Sequence, residues 1–266
     1  MSESVLILGG RGFVGSAITR AASEQGWTVK AVGREDYPEI VGTSWDVVIN
    51  ANGNSKKFLS DREPANEFDQ SVRSVAHSLH DIQFGRYVFL STVDVYPDKA
   101  NPAHNAETTA IDPMKLSRYG FHKWQAEQLV RFNAPSWLIL RMAGFVGPGL
   151  KKNPIYDLLT GAPLRVHPDS AYQYQHTATL AATVLDLLGQ PAANRILNVA
   201  GDGVITLREV AAWIPGAALP PPSDGLTPEY YETNIDQLKA IRSVPTTKET
   251  VHAFVRAVQD GKEMVG

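Results

Sequence analysis

The stretch GGRGFVG, residues 9 to 15, follows directly on the apolar run SVLIL and opens into FVGSAITRAASEQG, a helical pattern. Gly9, Gly12 and Gly15 fall at G-x-x-G-x-x-G. Glycines placed between a strand and a helix let the backbone approach a pyrophosphate, and the helix N-terminus turns open N–H groups toward the anion. Spacing alone is weak evidence, and a tight turn without a ligand would also use glycine. The strand before and the helix behind favour the phosphate cradle, with Gly9, Arg11, Gly12, Phe13, Val14 and Gly15 as its residues.

The rest of the chain continues that βα pattern. Short apolar runs at Val5–Leu8, Thr28–Val32, Val47–Ala51, Tyr87–Ser91 and Trp137–Arg141 read as strands buried on both faces of a parallel sheet. Helical patterns occupy 13–25, 64–81 and 115–132, with Phe84-Gly85 read as the stop signal after the second. This order predicts an α/β fold, a doubly wound parallel sheet with right-handed crossovers. A later strand at Ile196–Val199 returns to the sheet, and helices near 176–189, 206–214 and 246–260 complete the C-terminal part. Residues 1–142, with 176–200 returning, are expected to form the dinucleotide-binding core. Residues 143–175 and 201–266 are expected to form a small substrate-binding part. The proline-rich 218–228 stretch reads as an extended surface excursion.

Composition narrows the function classes. Apolar residues make up 43% of 266, enough for a large core, and the net charge of −3 disfavours a nucleic-acid or membrane-surface binder. The absence of cysteine excludes disulfides, cysteine-ligated zinc and thiol nucleophiles. The histidines and carboxylates show no metal-ligand spacing, so no metal is expected. With no signal-peptide pattern at MSESVLILGG and no apolar run near the ~18–20 residues of a spanning helix, the expectation is a cytoplasmic protein.

The end of the second strand bears on which dinucleotide binds. An Asp or Glu there holds the ribose 2′-OH of NAD. Here TVKAV ends in Gly33-Arg34, and a guanidinium pairs with a 2′-phosphate instead. Arg11 can reach the same corner, so two arginines favour NADP over NAD. Glu35 and Asp36 argue the other way if the strand ends later.

The stretch SRYGFHKWQAEQLV, residues 117 to 130, places Tyr119 and Lys123 four apart, on one face of a helix. An ammonium beside a phenol is expected to lower its pKa and fit it to move a proton at a carbonyl or alcohol. The preceding strand ends in YVFLSTVDVYP, which puts the Ser91 and Thr92 hydroxyls at a carboxyl end, where this architecture binds ligands.

Together these segments resemble an extended short-chain dehydrogenase/reductase of the NAD(P)-dependent epimerase/dehydratase family acting on nucleotide sugars. GGRGFVG resembles its glycine loop. DVVINANGN, with Ala51 and Asn52, resembles the third-strand segment that lines the cofactor. FLSTVDVYP and SRYGFHKWQAEQLV resemble its catalytic strand and Tyr/Lys helix. LILRMAGFVGPG, QYQHTATLA and LNVAGDGVITLREVA resemble later segments. The resemblance implies a Rossmann core and a triad: Thr92 as hydrogen-bond donor, Tyr119 as acid/base, Lys123 on the nicotinamide ribose. It implies hydride transfer at a sugar carbon, by a 4-ketoreductase or an epimerase.

Three positions depart from the family. Val93 and Asp94 stand where its 4,6-dehydratases carry an acidic pair, and valine can be neither acid nor base, which disfavours dehydration. Thr179 replaces a usual aspartate, and Ser71 aligns with the family's helix-start asparagine. Substrate candidates are Asp94, Lys56, Lys57, Arg141, Lys151, Lys152, Asn153, Arg165, His167 and Gln173, while His176 reads as a satisfied helix-start histidine. The expected partner is a small molecule, with a homodimer as the assembly to test. A same-fold reductase of a non-sugar carbonyl compound and a non-catalytic NADP-binding regulator are the alternatives.

Overall fold

Five parallel strands and the helices between them build the N-terminal half. The computed structural model describes residues 3–53, 57–217, 219 and 226–266. Strand β1 (Ser4–Leu8) leads through the glycine loop into helix α1 (Phe13–Glu24), followed by β2 (Thr28–Val32) and β3 (Ser44–Asn50). Helix α2 (Pro64–Phe68) runs through a π-helical turn at Asp69–Arg73 into α3 (Ser74–Asp81). Strand β4 (Gln83–Thr92), helix α4 (Arg118–Asn133) and strand β5 (Trp137–Met142) follow. The sheet order is β2-β1-β3-β4-β5, closed by the strand Arg195–Val199. This is the doubly wound parallel architecture that the βα alternation predicts.

Phe84-Gly85 do not stop a helix. They lie inside β4, where Gln83 pairs with Ser44 and Phe84 with Trp45, so aromatic pairing across the strands starts β4 earlier than its apolar run. The expected single helix over 64–81 is interrupted by the π-helical turn.

The strand registers set the site. Leu8 pairs with Val32 and with Asn50, Asn50 with Phe89, and Thr92 with Met142. The carboxyl ends therefore form one edge, carrying the glycine loop, Gly33-Arg34, Ala51–Gly53 and the turn after Thr92. On one face of the sheet, Leu6, Val48, Tyr87, Phe89 and Ile139 pack against Val75 and Leu79 of α3 and Ala126 and Val130 of α4. That apolar contact fixes α4 over the sheet at about 25 cal/mol per Å² of apolar surface buried.

The chain divides into two compact units, one of Met1–Pro97, Glu107–Met142 and Leu180–Leu197, the other of Asp98–Ala106, Ala143–Thr179 and Asn198–Gly266. Asp98–Ala106, placed by sequence in the first body, goes with the second. The reason is a set of side-chain amides: Asn105 Oδ1 accepts from the Asn234 N–H at 2.7 Å and its Nδ2 donates to the Glu232 carbonyl at 2.9 Å. Asn198 Nδ2 donates in turn to the carbonyls of Asn105 and Asn234, each at 2.9 Å. Helix Thr247–Gln259 of this unit starts with a capping box of Thr246 and Glu249 and buries Val251, Phe254 and Val255. Lys56 and most of 218–228 lie outside the described residues. No helix among the described residues is long and apolar enough to cross a membrane.

Candidate active site

The glycine loop forms as its spacing requires. Gly9 has φ 75°, and its carbonyl accepts from the Gly12 N–H at 2.9 Å. A Cβ on Gly15 would lie 2.2 Å from the Gly9 oxygen, so only glycine fits where α1 meets the loop. Gly12 is the N-cap of α1 and has no side chain to bond the first-turn amides, which stay available to an anion.

Beside the loop lies a cleft of about 690 Å³, lined by Gly33, Arg34, Asn52, Gly53, Arg73 and His77 among others. Its floor is held by Asn50, whose Oδ1 accepts from the Asn52 N–H at 2.9 Å while its Nδ2 donates to the Tyr87 hydroxyl at 2.7 Å. The bare glycine loop, the open helix terminus and this cleft fit a dinucleotide.

The two arginines do not behave alike. Arg34 is exposed and lines the cleft. Arg11 turns instead to the two carboxylates counted against NADP: Nη1 meets Glu35 at 2.7 Å and Nη2 meets Asp36 at 2.8 Å. Asp36 also accepts from the Gly33 N–H at 2.7 Å, which holds its pKa below the usual range, with Arg11 adding to the effect. Convergence of both arginines on one corner is thus not what the structure shows. The guanidinium sharing the cleft with Arg34 is Arg73, brought there by the π-helical turn.

Thr92 ends β4 and caps the short turn Val93–Val95. Its hydroxyl donates to Asp94 Oδ2 at 2.9 Å, and it accepts from the Asp94 N–H at 3.1 Å. Asp94 is buried and ion-paired with Lys57, whose ammonium lies 5.9 Å from the centre of the Tyr119 ring. Helix α4 starts at the Ser117 cap and presses on this turn: a Cβ on Gly120 would sit 2.2 Å from the Asp94 carbonyl oxygen. Thr92, Asp94, Lys57 and Tyr119 are so brought together.

Lys123, one turn on from Tyr119, is buried. Its Nζ donates to the Leu90 carbonyl at 2.9 Å and stands 4.2 Å from the centre of the Phe89 ring. Burial pushes its pKa down to about 8, against the opposing pull of Glu127 and then Glu67. Tyr119 is half-buried, and its phenol is pushed up, first by burial and then by the negative charges of Asp94 and Glu67. The lowered tyrosine pKa expected from the i, i+4 spacing is therefore reversed: two carboxylates and burial outweigh the ammonium.

Three expected ligand residues are enclosed in internal bonds. Arg141, 3% exposed, gives Nε and Nη2 to Glu127 at 3.0 and 2.7 Å and Nη1 to the Tyr96 hydroxyl at 2.9 Å. Ser91 donates to the same Glu127 at 2.6 Å. Gln173 Nε2 donates to the carbonyls of Gly201 and Thr233, and its Oε1 accepts the Thr233 N–H at 2.7 Å. In the second unit, Asn153 caps helix Pro154–Thr160 and His167 accepts the Asp169 N–H. Lys151, Lys152 and Arg165 are exposed there. His176 precedes its helix and accepts the Ala178 N–H at 3.2 Å.

Sequence reasoning missed Glu67, Arg73, His122 and Glu127. Glu127 carried a signal, standing four residues beyond Lys123 on one helix face. Glu67 is tied to His122 only in three dimensions.

The family model for the NAD dependent epimerase/dehydratase family matches residues 5–162. The chain belongs to this family. As a member it is an NAD(P)-dependent enzyme of the extended short-chain dehydrogenase/reductase type. No curated protein matches it in sequence. Among solved structures it resembles dTDP-4-dehydrorhamnose reductase from Bacillus anthracis in complex with NADP, at 16% identity and TM-score 0.78, over 96% of this chain and 98% of that one. It also resembles a UDP-galactose 4-epimerase, at 21% identity and TM-score 0.76 over 97% and 99%. MoeE5 in complex with UDP-glucose and NAD is similar at 18% identity and TM-score 0.78, over 97% and 99%. These likenesses establish a shared fold.

Proposed function

We propose that the protein is an NADP-dependent oxidoreductase acting at a sugar carbon of a nucleotide-activated sugar, with ketoreduction favoured over epimerisation. The observation that carries this is the clustering of Thr92, Tyr119 and Lys123 at the edge of the sheet that also bears the glycine loop. The glycine loop and the α1 terminus hold the pyrophosphate, and the nicotinamide supplies the hydride chemistry when bound. Arg34 takes the 2′-phosphate, while Glu35 and Asp36, already paired with Arg11, are not offered to a ribose diol.

Tyr119 is the acid. Its phenol stays protonated in this environment and so holds the proton that a carbonyl oxygen takes up as it gains charge. Thr92 steadies the same oxygen once its hydroxyl turns from Asp94. Lys123, held at the Leu90 carbonyl, faces the Gly53 side of the cleft, 3.6 Å from where a Cβ on Gly53 would stand. Lys57 is at hand for a diphosphate or a sugar hydroxyl.

The test is a panel of nucleotide sugars and their 4-keto derivatives, read first as thermal stabilisation and then as NADPH consumption. A hit lost in Tyr119→Phe supports the reading. Full turnover by Tyr119→Phe, or hits only among non-sugar carbonyl compounds, overturns it.

A further inference from the structure

A polar cluster is buried against the turn of α4 that carries Tyr119 and Lys123. Glu67, at the end of α2, is 1% exposed. One of its oxygens accepts the Ser71 hydroxyl, and the other meets Nδ1 of His122. His122 follows Tyr119 by three residues and immediately precedes Lys123. Phe68 closes on the imidazole edge-on, with ring centres 5.4 Å apart at 84°, and Phe121 flanks it at 6.2 Å. The π-helical turn Asp69–Arg73 begins just after Glu67 and carries Ser71. Such turns break the regular i→i+4 ladder and recur at functional sites.

A buried carboxylate loses its hydration and is retained only with fixed partners. Glu67 is one of three carboxylates gathered around Lys123 and Tyr119. Each of the other two has a cation of its own: Glu127 is held by Arg141, and Asp94 by Lys57. Glu67 is bonded to a hydroxyl and an imidazole, so its charge is the least cancelled by a permanent cation.

We propose that Glu67 is a positioning residue of the active site: pinned by Ser71 and His122, its charge sets how readily Lys123 and Tyr119 exchange protons. The proposal rests on the Tyr119–Lys123 reading above. Two directions agree with it, since Glu67 acts to raise Lys123 against its burial and also to raise the phenol. The titratable groups around Lys123 and Tyr119 are His122 and Glu127 on the same helix, Glu67 from α2, Asp94 from the turn after β4 with Lys57 from the segment after β3, and Arg141 bonded to Glu127. Replacing Glu67 alone changes one charge in that set.

The experiment titrates Lys123 directly, by NMR of the ligand-free full-length protein with 13C at lysine Cε, assigned through Lys123→Arg. In the native protein Lys123 is expected to titrate near pH 8. In Glu67→Gln its midpoint falls by about one unit, the size of effect a nearby opposite charge exerts. A change smaller than about 0.3 unit in a folded Glu67→Gln overturns the proposal. Where Glu67→Gln fails to fold, the double variant Glu67→Met/His122→Leu removes both hydrogen-bonding partners together, so that neither is left buried and unsatisfied. The same fall is expected there, and an unmoved midpoint is equally fatal. Because the titration needs no turnover, it is separable from the catalytic reading. Tyr119→Phe with full activity would sink the catalysis while leaving the field on Lys123 measured.

Discussion

Removing Glu127 should damage the protein more than removing any surface charge. Its carboxylate is fully buried, receives bonds from both Nε and Nη2 of Arg141 and one from Ser91, and stands among groups that are themselves out of water. In Glu127→Ala the Arg141 guanidinium stays buried with the Tyr96 hydroxyl as its one remaining side-chain partner among the described residues. Breaking a buried pair from one side costs about 3–5 kcal/mol, and the stranded Ser91 hydroxyl adds about 1 kcal/mol. At about 2–4 °C per kcal/mol for a protein of this size, Tm falls by roughly 8–24 °C. Scanning calorimetry at low and high salt provides the assay, and the deficit should persist at high salt because a buried pair is poorly screened. The control is Glu127→Met/Arg141→Met, which removes both charges and should recover most of the loss. A loss below about 1 kcal/mol in the single variant, or a double variant as weak as the single, would refute the reasoning.

Other consequences can be checked in parallel. Arg34→Ala should weaken NADP by about 10–100-fold, the worth of a charge-assisted hydrogen bond, and leave NAD within a few-fold by isothermal titration; equal losses would remove Arg34 from the phosphate site. Gly120→Ala forces a methyl to 2.2 Å from the Asp94 carbonyl, which no side-chain rotation relieves. It should cost about 1–3 kcal/mol of stability, seen as an earlier urea midpoint. Lys123 gives a pH signature. Its folded pKa of about 8 lies below the ordinary 10.5, so the unfolded chain binds the extra proton between those values and stability from this group rises with pH across that window. The full shift is worth about 3 kcal/mol. Urea midpoints from pH 7.5 to about 9.5, below the tyrosine range, should climb for the native protein relative to Lys123→Met, and parallel curves would contradict the burial argument.

What the sequence revealed was local. GGRGFVG between a strand and a helix, and Tyr119 with Lys123 on one helix face, are patterns within a few residues, and short-range geometry decides them. Arg141, an expected substrate residue, is a charge in the apolar strand LILRM and needs a partner there. That partner, Glu127, lies fourteen residues earlier on another element and is invisible until the helix packs on the sheet. Arg11 meets Glu35 and Asp36 for a related reason: the turn after β2 offers its own carboxylates, and a turn's shape decides which charges meet. Gln173 reads as a polar contact for a sugar because nothing local shows that its amide answers the backbone at Thr233. Tyr119 shows the same limit in energy rather than in contacts. Spacing identified its ammonium neighbour, but burial and two distant carboxylates set the sign of its shift.

The amides of Asn105, Asn198 and Gln173 carry a consequence for how the chain comes to be folded. They join pieces of the second unit that synthesis delivers at separate times, since the chain passes between the two units at 97/98, 106/107, 142/143, 179/180 and 197/198. When Asn105 leaves the ribosome, the Asn234 amide that it will bond has yet to be made. The first unit holds most of its strands by residue 142, so vectorial synthesis favours its ordering while the second unit waits for its last segment. That interleaving also means that neither unit is a cassette: recombination that exchanges one contiguous stretch for another cannot transplant the second unit whole.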